Sequence, residues 1–322
     1  MSLPILNILM SQKGIADHGA AIEKVAAVKW WTLESKPSAD GTYPIDVSLT
    51  TRDITGLSTK TNVLPPLARY YDILRASPKL AWIQAHSAGA DRPIYAELLA
   101  RGVRVTTSSG ANAAPVAHTA VAAVLALGRQ FPVQIAAQHK CEYTPMTNHP
   151  KLDDLTGQTS LVLGLGAIGS LIAKYLTALD IKVIGITRSN FDELSRYLPN
   201  VDFLVLACPL TVQTKGLVDA QLLSKMKAGS YLVNVARGEV CVEADVISAL
   251  QSGQLGGAFL DGFEVEPLNA DSPLWSLPNV MLSAHTAGHF TGHSDNVAKI
   301  FIDNLARFVQ GRELLNEVRT ST

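Results

Sequence analysis

The chain has 322 residues, of which 47% are hydrophobic and 17% charged, a composition that excludes disordered, collagen-like and coiled-coil proteins. Its 27 Lys and Arg nearly balance 28 Asp and Glu, so the net charge of −1 offers no sequence-wide attraction to nucleic acid or to an anionic membrane. Cys141, Cys208 and Cys241 lie far apart, which argues against a disulfide scaffold and a zinc ribbon and predicts reduced thiols.

The apolar N-terminus is predicted to form a buried strand rather than a signal peptide. Residues 1–10 have no basic flank, and polar Ser11 and Gln12 follow at once. No uncharged apolar run reaches the about 18–20 residues that a spanning helix needs, and the longest candidate, 113–128, is Ala-rich and contains His118. We therefore expect a soluble, cytoplasmic protein without a membrane partner.

Short strands alternating with helices are predicted along most of the chain. In the first hundred residues the strands lie at Ile5–Leu9, Asp46–Leu49, Leu80–Gln84 and Val103–Thr106. In the middle they lie at Leu161–Leu163, Lys182–Ile186, Asp202–Leu206, Ser230–Val235, Gly257–Leu260 and Val280–Ser283. Because amphipathic helices separate these runs, the pattern indicates parallel sheets covered by helices on both faces.

Two domains, interleaved in sequence, are expected. Residues 140–157 contain Pro145 and Pro150 and are typical of a connection, and the helical pattern of 294–316 follows the last strand. We assign residues 1–103 to a first domain, 104–287 to a second domain, and 288–322 to a C-terminal helix that returns to the first domain.

A glycine-rich turn lies between the first strand of the middle region and an amphipathic helix. Gly164, Gly166 and Gly169 form G-x-G-x-x-G in the strand–turn–helix context that a dinucleotide site requires. The first glycine allows a tight turn, the second leaves room for a pyrophosphate, and the third lets helix and strand pack closely. The motif therefore predicts a dinucleotide cofactor rather than a turn of structural importance alone.

The end of the next strand bears on the choice of cofactor. An NAD-specific site usually has an acid there, but this strand is followed by Thr187, Arg188 and Ser189. The Arg188 guanidinium can bind a 2′-phosphate, with the two hydroxyls beside it. We expect NADP(H) to be favoured over NAD(H); the alternative is a solvated arginine beside an NAD site that lacks its acid.

Three further motifs follow predicted strands and should meet at the carboxyl edge of the sheet. They are Asn234-Val-Ala-Arg237-Gly238, the segment from Asp261 to Pro267, and His285-Thr-Ala-Gly288. Together with the glycine turn, Pro209-Leu-Thr with Thr214, and Asn316-Glu-Val, they resemble the D-isomer-specific 2-hydroxyacid dehydrogenase family over nearly the whole chain. The resemblance implies an α/β protein in which a Rossmann-type doubly wound coenzyme domain is inserted in a smaller flavodoxin-like substrate domain. It also implies a reductase of small 2-oxo acids such as glyoxylate or hydroxypyruvate.

The resemblance implies three catalytic residues, and their chemistry is suited to the roles. His285 would protonate the substrate carbonyl oxygen as hydride arrives, and would take the proton back in the reverse reaction. Glu266 would orient the imidazole and raise its pKa, and Arg237 would bind the substrate carboxylate. Each has a structural alternative: a hydrogen-bonded strand-end histidine, a surface ion pair or a capping arginine.

Cofactor and substrate contacts are also implied by the resemblance. Asp261 matches the position that contacts the nicotinamide carboxamide. Ala88 and Gly89 match a loop whose N–H groups bind the substrate carboxylate, although a plain small-residue turn fits the composition equally well. Arg52 is a further candidate substrate contact, and His86 and His289 are candidates for lining the same cleft. The remaining expected cofactor contacts are Ala167, Ile168, Cys208, Pro209, Thr214, Val235, Ala236 and Gly288.

A metal site is the main competing interpretation of the histidines. His285, His289 and His293 recur every four residues, as ligands on a helix do. We expect no metal, because His285 ends a strand and no glutamate follows it as in H-E-x-x-H.

The chain departs from the family pattern in two places. Ala114-Pro-Val-Ala-His118 stands where the family usually has an acid, and only residues 190–201 separate Ser189 from the next strand, where the family usually fits another short strand. Either the coenzyme sheet lacks an edge strand or residues are missing from the sequence. The resemblance further implies a homodimer formed through the coenzyme domain, for which the apolar segment 113–127 is the support.

Two other functions are alternatives. The same fold can serve as a dinucleotide-sensing protein without physiological turnover, because a fold does not determine function. A phosphoglycerate-type biosynthetic dehydrogenase is disfavoured, since the chain ends soon after Asn316 and we expect no regulatory domain.

Overall fold

The computed structural model describes residues 5–59, 62–143 and 154–318, which form two compact units. The first unit comprises Met1–Asn112 and Phe290–Thr322, and the second comprises Ala113–His289. The first division thus falls after Asn112 and not after residue 103, because residues 104–106 form a strand of the first sheet. Most of the expected connection, including Pro145 and Pro150, lies outside the described residues.

The first unit contains a five-stranded parallel sheet in the order β2-β1-β3-β4-β5. This is the flavodoxin-like order, in which the chain switches direction across the sheet at β1 and β3. The strands are β1 (Ile5–Leu9), β2 (Ala27–Trp31), β3 (Val47–Leu49), β4 (Trp82–Gln84) and β5 (Arg104–Thr106).

The sequence pattern missed strand β2. Its sequence, Ala-Val-Lys-Trp-Trp, is interrupted by Lys29 and does not read as an apolar run. The strand lies at the sheet edge, where its side chains are only partly buried, and the Lys29 ammonium lies 5.1 Å from the ring centre of Trp31. An edge strand of this kind tolerates a charge that a central strand would exclude.

In the described part of the first unit there are five helices, and the last of them comes from the C-terminal part of the chain. They are α1 (Gln12–Ile22), α2 (Arg52–Thr55), α3 (Pro65–Arg75), α4 (Pro93–Ala100) and α11 (His293–Val309). On α11 the ring of Phe301 stacks on Trp82 of β4 with centroids 5.0 Å apart, and both side chains are fully buried. The buried Asn304 amide donates to Gln84 Oε1 at 3.2 Å, so apolar and polar contacts together attach this helix to the sheet.

The second unit contains a six-stranded parallel sheet in the order β11-β10-β9-β8-β6-β7. The strands are β6 (Thr159–Leu163), β7 (Lys182–Ile186), β8 (Phe203–Leu206), β9 (Ser230–Asn234), β10 (Leu255–Leu260) and β11 (Val280–Leu282). The chain runs outward from β6 to β7 and then returns to place β8 on the other side of β6. This change of direction opens a crevice at the carboxyl ends of β6 and β8, where doubly wound sheets bind ligands.

Side chains on the strands of the second sheet alternate between two apolar layers. Leu161, Leu163 and Leu232 belong to one buried cluster, and Val162 and Val233 belong to the other. Because both faces are covered, the strands read as continuous apolar runs, which is why their positions were predictable. The predicted doubly wound fold class is confirmed.

The segment after β7 contains no strand. It forms a 3₁₀ turn (Arg188–Glu193), the short helix α8 (Leu194–Tyr197) and a second 3₁₀ turn (Leu198–Asn200) before β8 begins. Leu194 and Leu198 are buried in the core. Within the described part of the second unit, β7 is therefore the last strand on this side of the sheet.

The remaining helices of the second unit include an apolar pair. These helices are α5 (Ala113–Gly128), α6 (Phe131–His139), α7 (Ala167–Ala178), α9 (Ala220–Lys225) and α10 (Glu243–Ser252). Among the helices in the described ranges, none is alone long and apolar enough to cross a membrane, and the pair α5 and α6, bent by 72°, meets that test by length and composition only. Half of the residues of α5 are buried, whereas α6 buries none.

Candidate active site

The glycine turn after β6 has the geometry expected at each of its three glycines. Gly164 has φ of +95°, and a Cβ there would lie 2.7 Å from Cα of Cys208. A Cβ on Gly166 would meet no atom within 4 Å, whereas one on Gly169 would lie 1.8 Å from the carbonyl oxygen of Gly164. Of the three glycines, only Gly166 therefore has open space beside it. Gly166 directly precedes α7, and the first N–H groups of that helix, at Ala167 and Ile168, have no partner inside the helix.

Hydrogen bonds fix the turn after β7. The Asn190 carboxamide accepts from the N–H and the hydroxyl of Thr187 at 2.7 and 2.9 Å, and its Nδ2 donates to the carbonyl of Gly185 at 3.1 Å. The Thr187 hydroxyl uses its one proton in the hydrogen bond to Asn190. In the 2.8 Å contact between the Thr187 and Ser189 hydroxyls, the proton therefore comes from Ser189. Both hydroxyl protons are therefore used in hydrogen bonds within the turn. The exposed guanidinium of Arg188 can still donate hydrogen bonds to a ligand.

The loop after β8 is held by its own side chains. The Thr214 hydroxyl donates to the carbonyl of Pro209 at 2.7 Å and accepts from the N–H of Thr211 at 2.8 Å. Through these two hydrogen bonds the Thr214 hydroxyl links Pro209 and Thr211 and so holds the shape of the loop. Burial raises the pKa of the Cys208 thiol to about 11, so this side chain stays neutral next to the glycine turn.

Asn234, at the end of β9, shapes the turn that presents Arg237. Its buried carboxamide accepts from the N–H of Ala236 at 2.9 Å and donates to the carbonyl of Arg237 at 2.9 Å. Val235, between them, donates its N–H to Leu206 of β8. The motif alone predicts no role for Asn234, although an Asn at a strand end followed by a tight turn is the signal that indicates such hydrogen bonds.

Two glycines allow the Arg237 turn to approach the loop that carries Glu266. A Cβ on Gly238 would lie 1.9 Å from the carbonyl carbon of Phe263, and one on Gly262 would lie 3.3 Å from the N–H nitrogen of Gly238. A side chain therefore does not fit at Gly238, and one at Gly262 would require its neighbours to shift slightly. At this crossing the backbone of Arg237 lies beside the Glu266 carboxylate, and the charge of Arg237 acts on the imidazole of His285.

Glu266 and His285 form a hydrogen-bonded pair from two loops. Nδ1 of His285 lies 2.9 and 3.0 Å from the two carboxylate oxygens of Glu266. The hydrogen bond to Glu266 raises the pKa of His285, while partial burial and the charge of Arg237 act in the opposite direction. The imidazolium form is thus favoured, and Nε2 is the nitrogen that remains for a substrate.

Asp261 organises the segment that carries His285. Its Oδ1 accepts from the Ser283 hydroxyl and from the N–H groups of Thr286 and Ala287, and its carbonyl accepts from the N–H of His285. Asp261 is 6% exposed. Gly288 follows in the same turn, which His289 closes by donating its N–H to the carbonyl of Thr286 at 2.9 Å.

Arg52 lies in the first unit, at the carboxyl end of β3. It begins α2 and lines a cavity of about 300 Å³ together with Lys13, His18, His86 and His293. The ring centres of His86 and His293 are 6.3 Å apart. His86 thus shares this cavity with His293 of its own unit, whereas His289 belongs to the second unit.

Ala88 and Gly89 lie in the loop after β4. The Ser87 hydroxyl holds the loop by donating to the carbonyl of Gly89 at 2.7 Å, and Ser108 donates its N–H to the carbonyl of Ser87. Within the described residues, no acceptor takes the N–H of Ala88 or Gly89. The loop therefore offers two backbone donors to a ligand.

The helical spacing that suggested a metal site does not correspond to one helix face. His293 is the first residue of α11 in the first unit, while His285 and His289 lie in turns of the second. His285 also has φ of +55°, outside the helical region.

Comparison with known proteins gives the same family on sequence and structural grounds. Residues 121–287 match the model of the D-isomer specific 2-hydroxyacid dehydrogenase NAD-binding domain. A glyoxylate reductase of Thermofilum pendens is 31% identical over 258 residues, which cover 74% of this chain and 75% of that protein.

Two solved structures are similar over almost the whole chain. One is a D-isomer specific 2-hydroxyacid dehydrogenase from Xanthobacter autotrophicus in complex with NADPH, with 28% identity, a TM-score of 0.74, and 97% and 98% of the two chains covered. The other is an NADPH-dependent glyoxylate/hydroxypyruvate reductase from Sinorhizobium meliloti in complex with NADP, with 25% identity, a TM-score of 0.76, and 99% and 98% covered. The chain belongs to the D-isomer specific 2-hydroxyacid dehydrogenase family, oxidoreductases that transfer hydride between a nicotinamide dinucleotide and a 2-oxo acid.

Proposed function

We propose that this enzyme reduces a small 2-oxo acid, glyoxylate or hydroxypyruvate, with His285 as the acid and Arg237 as the carboxylate-binding residue. The observation that carries the proposal is the Glu266–His285 pair, held close to Arg237 at the carboxyl edge of a sheet that also carries the glycine turn. The names of the similar T. pendens and S. meliloti reductases support this choice of substrate.

His285 is proposed to donate the proton that reduction requires. When the nicotinamide dinucleotide is bound, it supplies hydride to the 2-carbon of the substrate. Glu266 holds Nδ1, so Nε2 of the imidazolium donates to the carbonyl oxygen as negative charge develops there. In oxidation the neutral imidazole takes the proton back. Because Glu266 raises the pKa of His285, the acid form persists to higher pH than in a free imidazole.

The substrate carboxylate is proposed to be bound by charge and by backbone donors. The Arg237 guanidinium offers parallel N–H groups to a carboxylate, a charge-assisted geometry. One of its nitrogens, Nη1, donates to the carbonyl of Ala236 at 2.8 Å, which orients the group. In the first unit, the N–H groups of Ala88 and Gly89 and the side chain of Arg52 are the proposed contacts.

The second unit is proposed to hold the dinucleotide along the carboxyl ends of its strands. The space above Gly166 and the N-terminal N–H groups of α7, at Ala167 and Ile168, are suited to the pyrophosphate. No described residue donates to Oδ2 of Asp261, which leaves this oxygen to accept from the nicotinamide carboxamide. Further proposed contacts are Gly164, Gly169, Cys208, Pro209, Val235, Ala236 and Gly288, with Thr214 shaping its loop.

NADP(H) is proposed to be the preferred cofactor, through Arg188. Its side chain is exposed at the end of β7, and no ion pair links it to another described residue. The Thr187 and Ser189 hydroxyls hold the turn that presents Arg188, and both residues are proposed to lie beside the phosphate. The similar structures from X. autotrophicus and S. meliloti contain NADPH and NADP.

A homodimer formed through the coenzyme domain is proposed from the exposed apolar surface of α6. Phe131 and Ile135 are 49% and 45% exposed, and the helix buries no residue. Apolar side chains concentrated on one short helix are typical of a surface that a second copy covers.

The proposed reaction is tested by turnover of glyoxylate and hydroxypyruvate with NADPH, measured by the absorbance of the reduced nicotinamide. We expect His285→Gln to lower kcat about 10²- to 10⁴-fold, because the amide is not an acid. For the wild type, kcat/KM for reduction should be maximal at low pH and fall as pH rises through the raised pKa of His285. Oxidation should show the opposite dependence.

Lys225→Gln is the control with the same replacement residue, since Lys225 is exposed at the end of α9 and lies outside the proposed site. It should turn over like the wild type. A His285→Gln enzyme with wild-type rates would contradict the assignment of the acid. Cofactor binding without turnover of any 2-oxo acid would favour a dinucleotide-sensing protein.

The glycine turn is tested by two single-methyl substitutions. Gly166→Ala should fold normally, because its Cβ meets no protein atom, but should raise the dissociation constant for NADPH at least about tenfold by filling the pyrophosphate space. Gly169→Ala should lower stability by about 1–3 kcal/mol because its Cβ overlaps Gly164. Fluorescence titration and thermal unfolding give the two quantities. Unchanged affinity in Gly166→Ala would show that no phosphate lies there.

Cofactor preference is tested with Arg188→Ala. We expect kcat/KM with NADPH to fall about 10- to 100-fold, the loss of one charged hydrogen-bonded pair, and kcat/KM with NADH to change less than about threefold. Arg196→Ala, an exposed arginine of α8 that lies over the ring of Tyr197, should leave both values unchanged. Equal losses with both cofactors, or a wild-type preference for NADH, would contradict the proposal.

A further inference from the structure

The hydrogen bonds of the loop that carries His285 meet at one buried residue, Asp261. Four donors from residues 283–287 point at Asp261: the Ser283 hydroxyl at 2.5 Å, the N–H groups of Thr286 and Ala287 at 2.8 and 3.0 Å, all to Oδ1, and the N–H of His285 to the carbonyl at 2.8 Å. Hydrogen bonds to an ionised acceptor are among the strongest in proteins. We call this set of contacts the Asp261 clamp.

The clamp explains the backbone conformation of His285. With φ of +55° it lies in the left-handed region, which residues other than glycine seldom adopt. A left-handed residue turns successive N–H groups toward one side and forms a concave site that binds an anion. Here the anion belongs to the protein itself, since the Asp261 carboxylate fills that concavity.

The far end of the loop is fixed as well. Ala287 is 5% exposed, and its carbonyl accepts from the hydroxyl of Thr119 on α5 at 3.3 Å. The backbone on both sides of the imidazole is therefore held, whereas the imidazole contacts the Glu266 carboxylate, which comes from a different loop. The orientation of Nδ1 toward Glu266 thus depends on where the clamp places the His285 backbone.

Ser283 is the side-chain donor in the clamp, and nothing in the proposed reaction uses it directly. We propose that Ser283 is a positioning residue that acts through Asp261 to keep Nδ1 of His285 on the Glu266 carboxylate. The inference rests on the proposed function, because it assigns Ser283 a part in the same proton transfer. Three charged groups face the imidazole: Glu266 and Asp261 favour its charged form, and Arg237 disfavours it.

Ser283→Ala tests the clamp, because it removes one hydroxyl and leaves the backbone N–H donors in place. We expect kcat for reduction to fall about 5- to 20-fold, as for a lost hydrogen bond to a charged group, with KM for NADPH within about twofold of the wild type. The alkaline limb of kcat/KM should move to lower pH, since a looser Glu266 contact lowers the pKa of His285. Ser283→Thr keeps the hydroxyl and should restore both rate and pH profile.

Ser276→Ala is the control, because this exposed serine donates one hydrogen bond to the carbonyl of Pro273 and lies away from the clamp. It should behave like the wild type. In a His285→Gln background, Ser283→Ala should cause no further loss of kcat, because the imidazole through which it acts is gone. A slower Ser283→Ala enzyme with an unchanged pH profile, or no recovery in Ser283→Thr, would overturn the positioning role.

Failure of the clamp can be distinguished from failure of the proposed function. NMR titration of the His285 imidazole does not require turnover, and it should show a lower pKa in Ser283→Ala than in the wild type. If no 2-oxo acid is reduced but this difference is found, the clamp stands and the reaction is wrong. If the enzyme turns over and the two imidazoles titrate alike, the clamp is wrong.

Discussion

The contact between the Glu266 carboxylate and Nδ1 of His285 is the interaction on which the candidate site depends. The two side chains leave the sheet after neighbouring strands, β10 and β11, and meet at 2.9 Å. The contact depends on both loops, because each loop supplies one of the two side chains. The Glu266 loop can approach the Arg237 turn because Gly238 lacks a side chain, and the His285 loop is bound to Asp261. Parallel strands that end at one edge, and tight turns beyond that edge, thus place a carboxylate, an imidazole and a guanidinium close together.

Several parts of the fold could be predicted from the sequence because one physical signal dominated there. In the second unit both faces of the sheet are buried, so strands such as β6 and β8 read as apolar runs. Strand β2 could not be found this way, since as an edge strand it is half exposed and contains Lys29. The boundary after residue 103 was misplaced because β5 has only three residues and its membership is decided by pairing with β4, a long-range contact.

The candidate site could be predicted as a set of residue types at strand ends, but not as a network. Gly164, Gly166 and Gly169 carry a local signal, since their conformations follow from one short motif. The roles of Asn190 and Ser283 depend on hydrogen bonds that a pattern does not encode, and Ser283 reaches Asp261 across 22 positions of sequence. The Thr187 and Ser189 hydroxyls show the converse: as residue types they suit a phosphate, but the structure uses their protons within the turn.

The central claim is that Glu266 raises the pKa of His285, and the most direct test is the titration of that imidazole. With ¹³C-labelled histidine, the His285 signal can be assigned by its loss in His285→Gln and followed by NMR against pH. We predict a pKa above the usual imidazole value of about 6.5 in the wild type, and a lower pKa in Glu266→Gln, where the neutral amide no longer favours the charged form. A wild-type pKa at or below that value, unchanged in Glu266→Gln, would contradict the account.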